Sequence, residues 1–267
     1  MNIHRGLKFN YAFIVIFGVF LILISENGFS QSSQYIGLSN GIQGIAGRDL
    51  GFSQLKYTGI RYVLSLGYEV KKPNRSESLS LNFAKGTSNS RGGNSMETWS
   101  LGLVSHTLYH RDTSRYKGFR YGWSLQNELN HRLHQRFANF NNRMDYFTSV
   151  GPAIGYLFPI SWEDKKLGWN TKAHMQGVGF KFASDYISSV PPVIESDGTV
   201  GDSLWYATDV FWIGRDWSVG CWSEIRYETS SGNSLGVQYQ FDFQQLSVAQ
   251  EVIRVRNSIM LNICVRL

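Results

Sequence analysis

The feature that most constrains this chain is the alternation that runs to its last residue. From Leu235 to Phe243 the odd positions are Leu235, Val237, Tyr239, Phe241 and Phe243, and the even ones are Gly236, Gln238, Gln240 and Asp242. From Ser258 onward Ile259, Leu261, Ile263, Val265 and Leu267 alternate with Ser258, Met260, Asn262, Cys264 and Arg266. A period of two makes a strand with one greasy and one wet face. A strand of that kind with a bare edge would template aggregation. The pattern therefore predicts a closed barrel in which the terminal strand seals against the first.

The same period recurs upstream in Tyr35–Ala46, Tyr62–Val70, 78–83, 99–109, 119–126, 146–158, 167–176 and, within Asp209–Glu228, from Trp217. The fold class that follows is all-β: an antiparallel up-and-down β-barrel of about ten strands, with eight and twelve as the neighbouring even counts. Val104–Leu108 blurs the alternation and predicts a bulge, and Pro152 predicts another irregularity, because proline cannot donate to a ladder. The connections then alternate in length. Lys71–Ser76, Arg111–Lys117, Ser161–Lys166 and Thr229–Asn233 are short, whereas Gly47–Ile60, Thr87–Met96, His131–Asp145, Lys181–Thr208 and Gln244–Val255 are longer. Short turns at one end and longer loops at the other are the pattern of a transmembrane barrel.

Periodicity leaves open which face points outward, and a soluble barrel is the alternative. Three features favour a greasy exterior. The wet face is rich in Gly, Ser, Asn and Gln, where a soluble surface would carry Lys and Glu. Aromatic residues gather at strand ends, as bilayer interfaces select. Tyr68, Tyr109, Phe119, Tyr121, Tyr156, Phe158, Trp169 and Tyr227 lie on the short-turn side; Phe83, Trp99, Tyr146, Phe241 and Phe243 lie on the other. Strand lengths of ~9–11 residues suit a tilted crossing.

Residues 1–30 read as a signal peptide: His4, Arg5 and Lys8 precede the apolar run Tyr11–Ile24, and small residues lead to a cut near Ser30–Gln31. Residues 31–267 form one barrel domain. The formal charge of +6 suggests nucleic acid only weakly, since the basic residues are scattered and no stacking motif accompanies them. Cys221 falls on the greasy face and Cys264 on the wet one, with strand 235–243 between them. At ~4.8 Å per strand they lie ~10 Å apart, too far for a disulfide.

The signal peptide, the Ser230-Ser-Gly-Asn233 turn between alternating strands and the bare terminal strand resemble small outer-membrane β-barrel proteins of Gram-negative bacteria. The aromatic- and Asn-rich style is similar to barrels of the Bacteroidota. The chain departs from that pattern at its end, Cys264-Val-Arg-Leu267, where such barrels usually carry an aromatic residue. The resemblance implies an outer-membrane location, with lipid and the barrel-assembly machinery as partners.

Some such barrels are hydrolases. Here no Asp-x-His or Asp-x-Asp is present, and Ser105 and His106 are adjacent, hence on opposite faces. His174 beside Lys172 is the best lone candidate base, and a hydrogen-bonded lumenal histidine is its blander reading. The wet-face charges Glu69, Arg120, Glu128, Lys172, Glu224, Arg226, Asp242 and Arg266 carry both signs. Arg120, Glu128, Lys172, His174, Glu224, Arg226 and Asp242 are thus expected to form a lumenal network that closes a narrow barrel, since buried charge must be matched. The basic stretch His131–Arg136 with Arg143 could meet lipopolysaccharide phosphates, and acidic, Gly-rich Glu195–Asp202 could hold Ca²⁺, although it lacks the spacing of a defined calcium loop; ordinary solvated loops are the blander reading of both. The expected function is non-enzymatic, structural or surface-binding, with no cofactor. The alternatives are a narrow porin and an outer-rim hydrolase.

Overall fold

A computed structural model describes residues 32–50, 53–110, 118–134, 142–162, 165–183, 208–248 and 250–267. The candidate leader 1–30 and the acidic stretch 195–202 lie outside the described residues. The strands are β1 (Ser33–Asp49), β2 (Ser53–Lys71), β3 (Arg75–Ser90), β4 (Ser95–Tyr109), β5 (Gly118–His134), β6 (Asn142–Trp162), β7 (Lys165–Met175), β8 (Val178–Ala183), β9 (Thr208–Trp212), β10 (Trp217–Glu228), β11 (Ser234–Val248) and β12 (Gln250–Arg266).

They close into ten staves. Neighbours pair antiparallel from β1 through β7, then β7 with β10, β10 with β11, and β11 with β12. The terminal strand β12 seals against β1 from Tyr35↔Arg266 to Asp49↔Val252, as its alternation predicts. Segments β8 and β9 continue β7 and β10 beyond two irregularities. At Gln176–Gly177 the facing flips, so that His174 and Gln176 turn inward, but Lys181 does so after the break. Pro152 lies opposite that break, between the part of β6 that pairs with β8 (Asp145–Val150) and the part that pairs with β7 (Ala153–Trp162). The missing N–H of the proline is thereby accommodated, as expected.

The other expected bulge is absent. Strand β4 keeps unbroken register with β3 and β5 through Val104–Leu108. Alternation blurs there because the lumen takes apolar side chains: Leu108 is fully buried, facing Gly155.

The connections also differ from expectation. Strands β1 and β2 are separated only by residues 50–52, β3 and β4 by 91–94, and β11 and β12 by 249. Most of the expected long loops are strand. A strand of 17 residues at ~3.3 Å per residue and a tilt of ~40° rises about 43 Å, well beyond the ~25 Å apolar band of a spanning barrel. At the opposite, turn end, β10 and β11 are joined through Gly232, whose φ of 84° lies where only glycine is unstrained.

The greasy face points outward. Ile60 is 69% exposed, Leu261 61% and Val237 53%. The aromatic residues at strand ends lie in the same outer face: Tyr109, Phe119, Tyr121, Tyr156, Phe158, Trp169 and Tyr227 are exposed at the turn end. Tyr68 is the exception, buried with its hydroxyl donating to Gln34. At the loop-end edge Tyr146 donates to Asn127 and Tyr239 to Asn257, so each ring lies on the apolar belt with its hydroxyl on a polar neighbour. Cys221 lies on the outer face, Cys264 faces the lumen, and both are free.

Candidate functional site in the lumen

The lumen divides into two layers. Toward the loop end, Arg256 of β12 donates to both carboxylate oxygens of Glu128 of β5, one contact at 2.8 Å. In a ring of ten staves β12 and β5 are five apart, half the circumference. This pair therefore bridges opposite walls. Arg254 of β12 reaches Asp145 of β6 at 2.6 Å, and Asp145 also accepts from Arg132 and, at 3.2 Å, from Asn130. Asp49 of β1 pairs with Arg132 at 2.9 Å and with Arg143 at 3.2 Å. Arg61 donates to Gln43, which donates to Ser258 at 2.8 Å. Beside this layer Phe147, Phe211, Leu246 and Val252 form a fully buried apolar cluster. Lys181 and Asp216, both wholly buried, pair at 2.6 Å at the β9–β10 irregularity.

Toward the turn end the interior is looser. Arg226 pairs with Glu224 at 2.7 Å and with Glu69, two strands beyond the seam, at 3.5 Å. Lys172 donates to Ser78 across the lumen at 3.2 Å and lies 5.0 Å above the Trp222 ring. His106 and His174 share a hydrogen bond of 3.1 Å. Gly220 makes room for that pair: a Cβ there would come within 2.5 Å of His174 Nε2. Neither histidine is hydrogen-bonded to a serine or a carboxylate among the described residues.

All seven residues expected in the lumen face it, but they do not form one network. Glu128 belongs to the loop-end layer. Glu224 and Arg226 pair at the turn end, with Lys172 and His174 in the space between. Arg120 donates to Ser76 at 3.3 Å. Asp242 accepts from Gln240 at 3.0 Å and makes no ion pair among the described residues. The residues that close the lumen were mostly outside the expected set: Asp49, Arg61, Arg132, Arg143, Asp145, Arg254 and Arg256. Arg132 and Arg143, expected on a basic outer loop, are 6% and 2% exposed and turned inward, which removes them from any lipopolysaccharide contact there. Strand β5 simply runs to His134, and β6 starts at Asn142. Extending the facing of Glu128 to Asn130 and Arg132, or of Ser258 back to Arg256 and Arg254, is the signal that finds them.

No protein-family model matches the chain, and no curated protein does. Solved barrels resemble it in outline. One is the transport unit of the autotransporter AIDA-I from Escherichia coli, 9% identical, covering 91% of this chain and 92% of that one, with a TM-score of 0.45. Another is the translocator domain of the autotransporter NalP from Neisseria meningitidis, 10% identical over 96% and 97% of the two chains, with a TM-score of 0.35. A third is the toluene transporter TodX from P. putida, 8% identical over 88% and 90%, with a TM-score of 0.33. The likeness is one of barrel outline, too distant to transfer what any of them carries.

Proposed function

We propose that this is a non-enzymatic outer-membrane barrel whose lumen is closed, serving as a structural or surface-binding element of the envelope. The outward apolar belt, edged by tyrosines that bond polar neighbours, supports a bilayer location. In that setting the turn end faces the periplasm, and the strand ends beyond the belt stand above the outer leaflet. One observation carries the closed reading: Arg256 and Glu128 join opposite walls by direct contact, with side-chain exposures of 7% and 5%. A solute path at that level would have to break a buried ion pair, and a selective conduit would be lined by one sign of charge. Arg61, Arg132, Arg143, Arg254 and Asp49, Glu128, Asp145 instead interleave.

The test is solute flux into proteoliposomes carrying the refolded protein. The reading expects swelling rates in arabinose no faster than in empty vesicles. Rates that fall with solute size, as a sieving pore gives, would replace it with the porin reading.

A further inference from the structure

Below the ionic layer lies a cavity of about 130 Å³, bordered by Glu69, Lys172, His174, Trp222 and Asp242. It extends toward the turn end, where Tyr35 and Arg226 also line a smaller space beside Gly232. Because the layer above is closed, the cavity is blind; this inference rests on that reading. Its volume is close to the ~150 Å³ that accommodates one benzene-sized molecule.

The chemistry of the lining selects the occupant. The formal charges cancel: Lys172 and Arg226 against Glu69 and Asp242. Glu69 and Arg226 pair with each other, Lys172 donates to Ser78, and Asp242 accepts from Gln240. Apart from Glu69 Oε1, the unspent hydrogen-bonding capacity is neutral. Ser39, Ser65 and Gln238 are 6%, 8% and 7% exposed and border the cavity. Asn82 borders it too, and none of the four makes a side-chain hydrogen bond among the described residues. Their polar atoms are not sealed off, as those of Ser149 and Ser234 are, so they open onto the cavity. Hydroxyls and amides both donate and accept. A buried polar space of this kind is stabilised by a molecule that does the same. The Trp222 ring adds an apolar surface.

We propose that this cavity is a binding site for a small neutral polyhydroxylated solute, entering from the turn end and held by Ser39, Ser65, Asn82 and Gln238. A lining whose formal charges cancel favours neither net anions nor net cations.

Gly67 gives a way to fill the site. It borders the cavity, and a Cβ there meets nothing nearer than 3.8 Å, so Gly67→Leu places its side chain in the void. Gln238→Leu removes one amide at nearly constant shape. The experiment is saturation-transfer NMR on protein refolded in an amine-oxide detergent, which has no sugar headgroup. Glycerol, xylitol and glucose are the probes; acetate, phosphate and glycine betaine are the controls. Expected is saturable transfer to at least one polyol at millimolar concentration, weakened roughly tenfold or lost in Gly67→Leu and weakened in Gln238→Leu. Both variants must keep the heat-modifiable gel mobility of the wild type. If Gly67→Leu does not fold, Gln238→Leu alone decides. No saturable transfer to any polyol, equal transfer in the folded variants, or preference for the charged controls would each overturn the proposal. A barrel that conducts yet binds a polyol in the Gly67-dependent manner would retain this site and lose only the closed reading.

Discussion

Removing one partner of the cross-lumen pair is the perturbation whose size the structure fixes best. In Arg256→Ala, Glu128 loses both guanidinium contacts but keeps Gln126 Nε2 at 3.2 Å and Arg254 at 4.0 Å. In Glu128→Ala, Arg256 loses its only carboxylate partner among the described residues, and its Nε is already without one. Breaking a buried pair costs ~3–5 kcal/mol, because the survivor is stranded. The carboxylate that keeps two partners belongs near the lower end, about 3 kcal/mol, and the stranded arginine near the upper, about 5 kcal/mol. Replacing both at once, as Arg256→Met with Glu128→Leu, leaves no unpaired charge and should restore most of the loss. The assay is equilibrium urea unfolding in lipid vesicles, followed by tryptophan emission and by heat-modifiable gel mobility. The reasoning fails if either single variant costs under about 1 kcal/mol, the range of a solvent-exposed pair, or if the double variant is worse than both singles.

Further expectations concern facing and orientation. Val237, outward in the middle of the belt, should cost ~2–4 kcal/mol when changed to arginine, whereas Gln238→Arg, facing the lumen, should cost much less; equal loss of gel-shifted folded protein would contradict the assigned faces. In a background lacking Cys221 and Cys264, Gly92→Cys should react with an impermeant thiol reagent on whole cells and Ser231→Cys should not, and the opposite pattern would invert the barrel. Gly220→Ala should cost ~1–3 kcal/mol by driving a methyl group into His174; an unchanged unfolding midpoint would mean that the histidine pair moves freely.

The barrel was legible wherever one face was greasy and the other wet. Strands β11 and β12 announce themselves because Leu235–Phe243 and Ile259–Leu267 alternate without a break. Above the apolar belt that contrast disappears. There the outward residues are polar too, such as Lys56, Thr58, Thr87 and Asn89, while the inward ones are Tyr57, Ser88 and Ser90. With both faces polar, period two carries no hydropathy signal, and those stretches read as loops. The same loss hid Asp49, whose outward neighbour is Arg48. Arg254 and Arg256 instead alternate with outward Ile253 and Val255, and Asp145 with Met144 and Tyr146, so their facing was readable by extending the pattern of residues farther down each strand. Pro152 was legible because its constraint is local and steric. The inward turn of Val104 and Leu108 was not, since an apolar residue in the lumen looks the same in sequence as a break in register.

The most direct test of a closed lumen is single-channel recording in planar bilayers. Wild-type barrels, inserted as shown by protease-resistant, heat-modifiable protein recovered from the same preparation, should give a flat baseline at voltages of either sign. Arg256→Ala should add brief openings at most. Steady, ion-selective steps through the wild type would contradict the closed lumen.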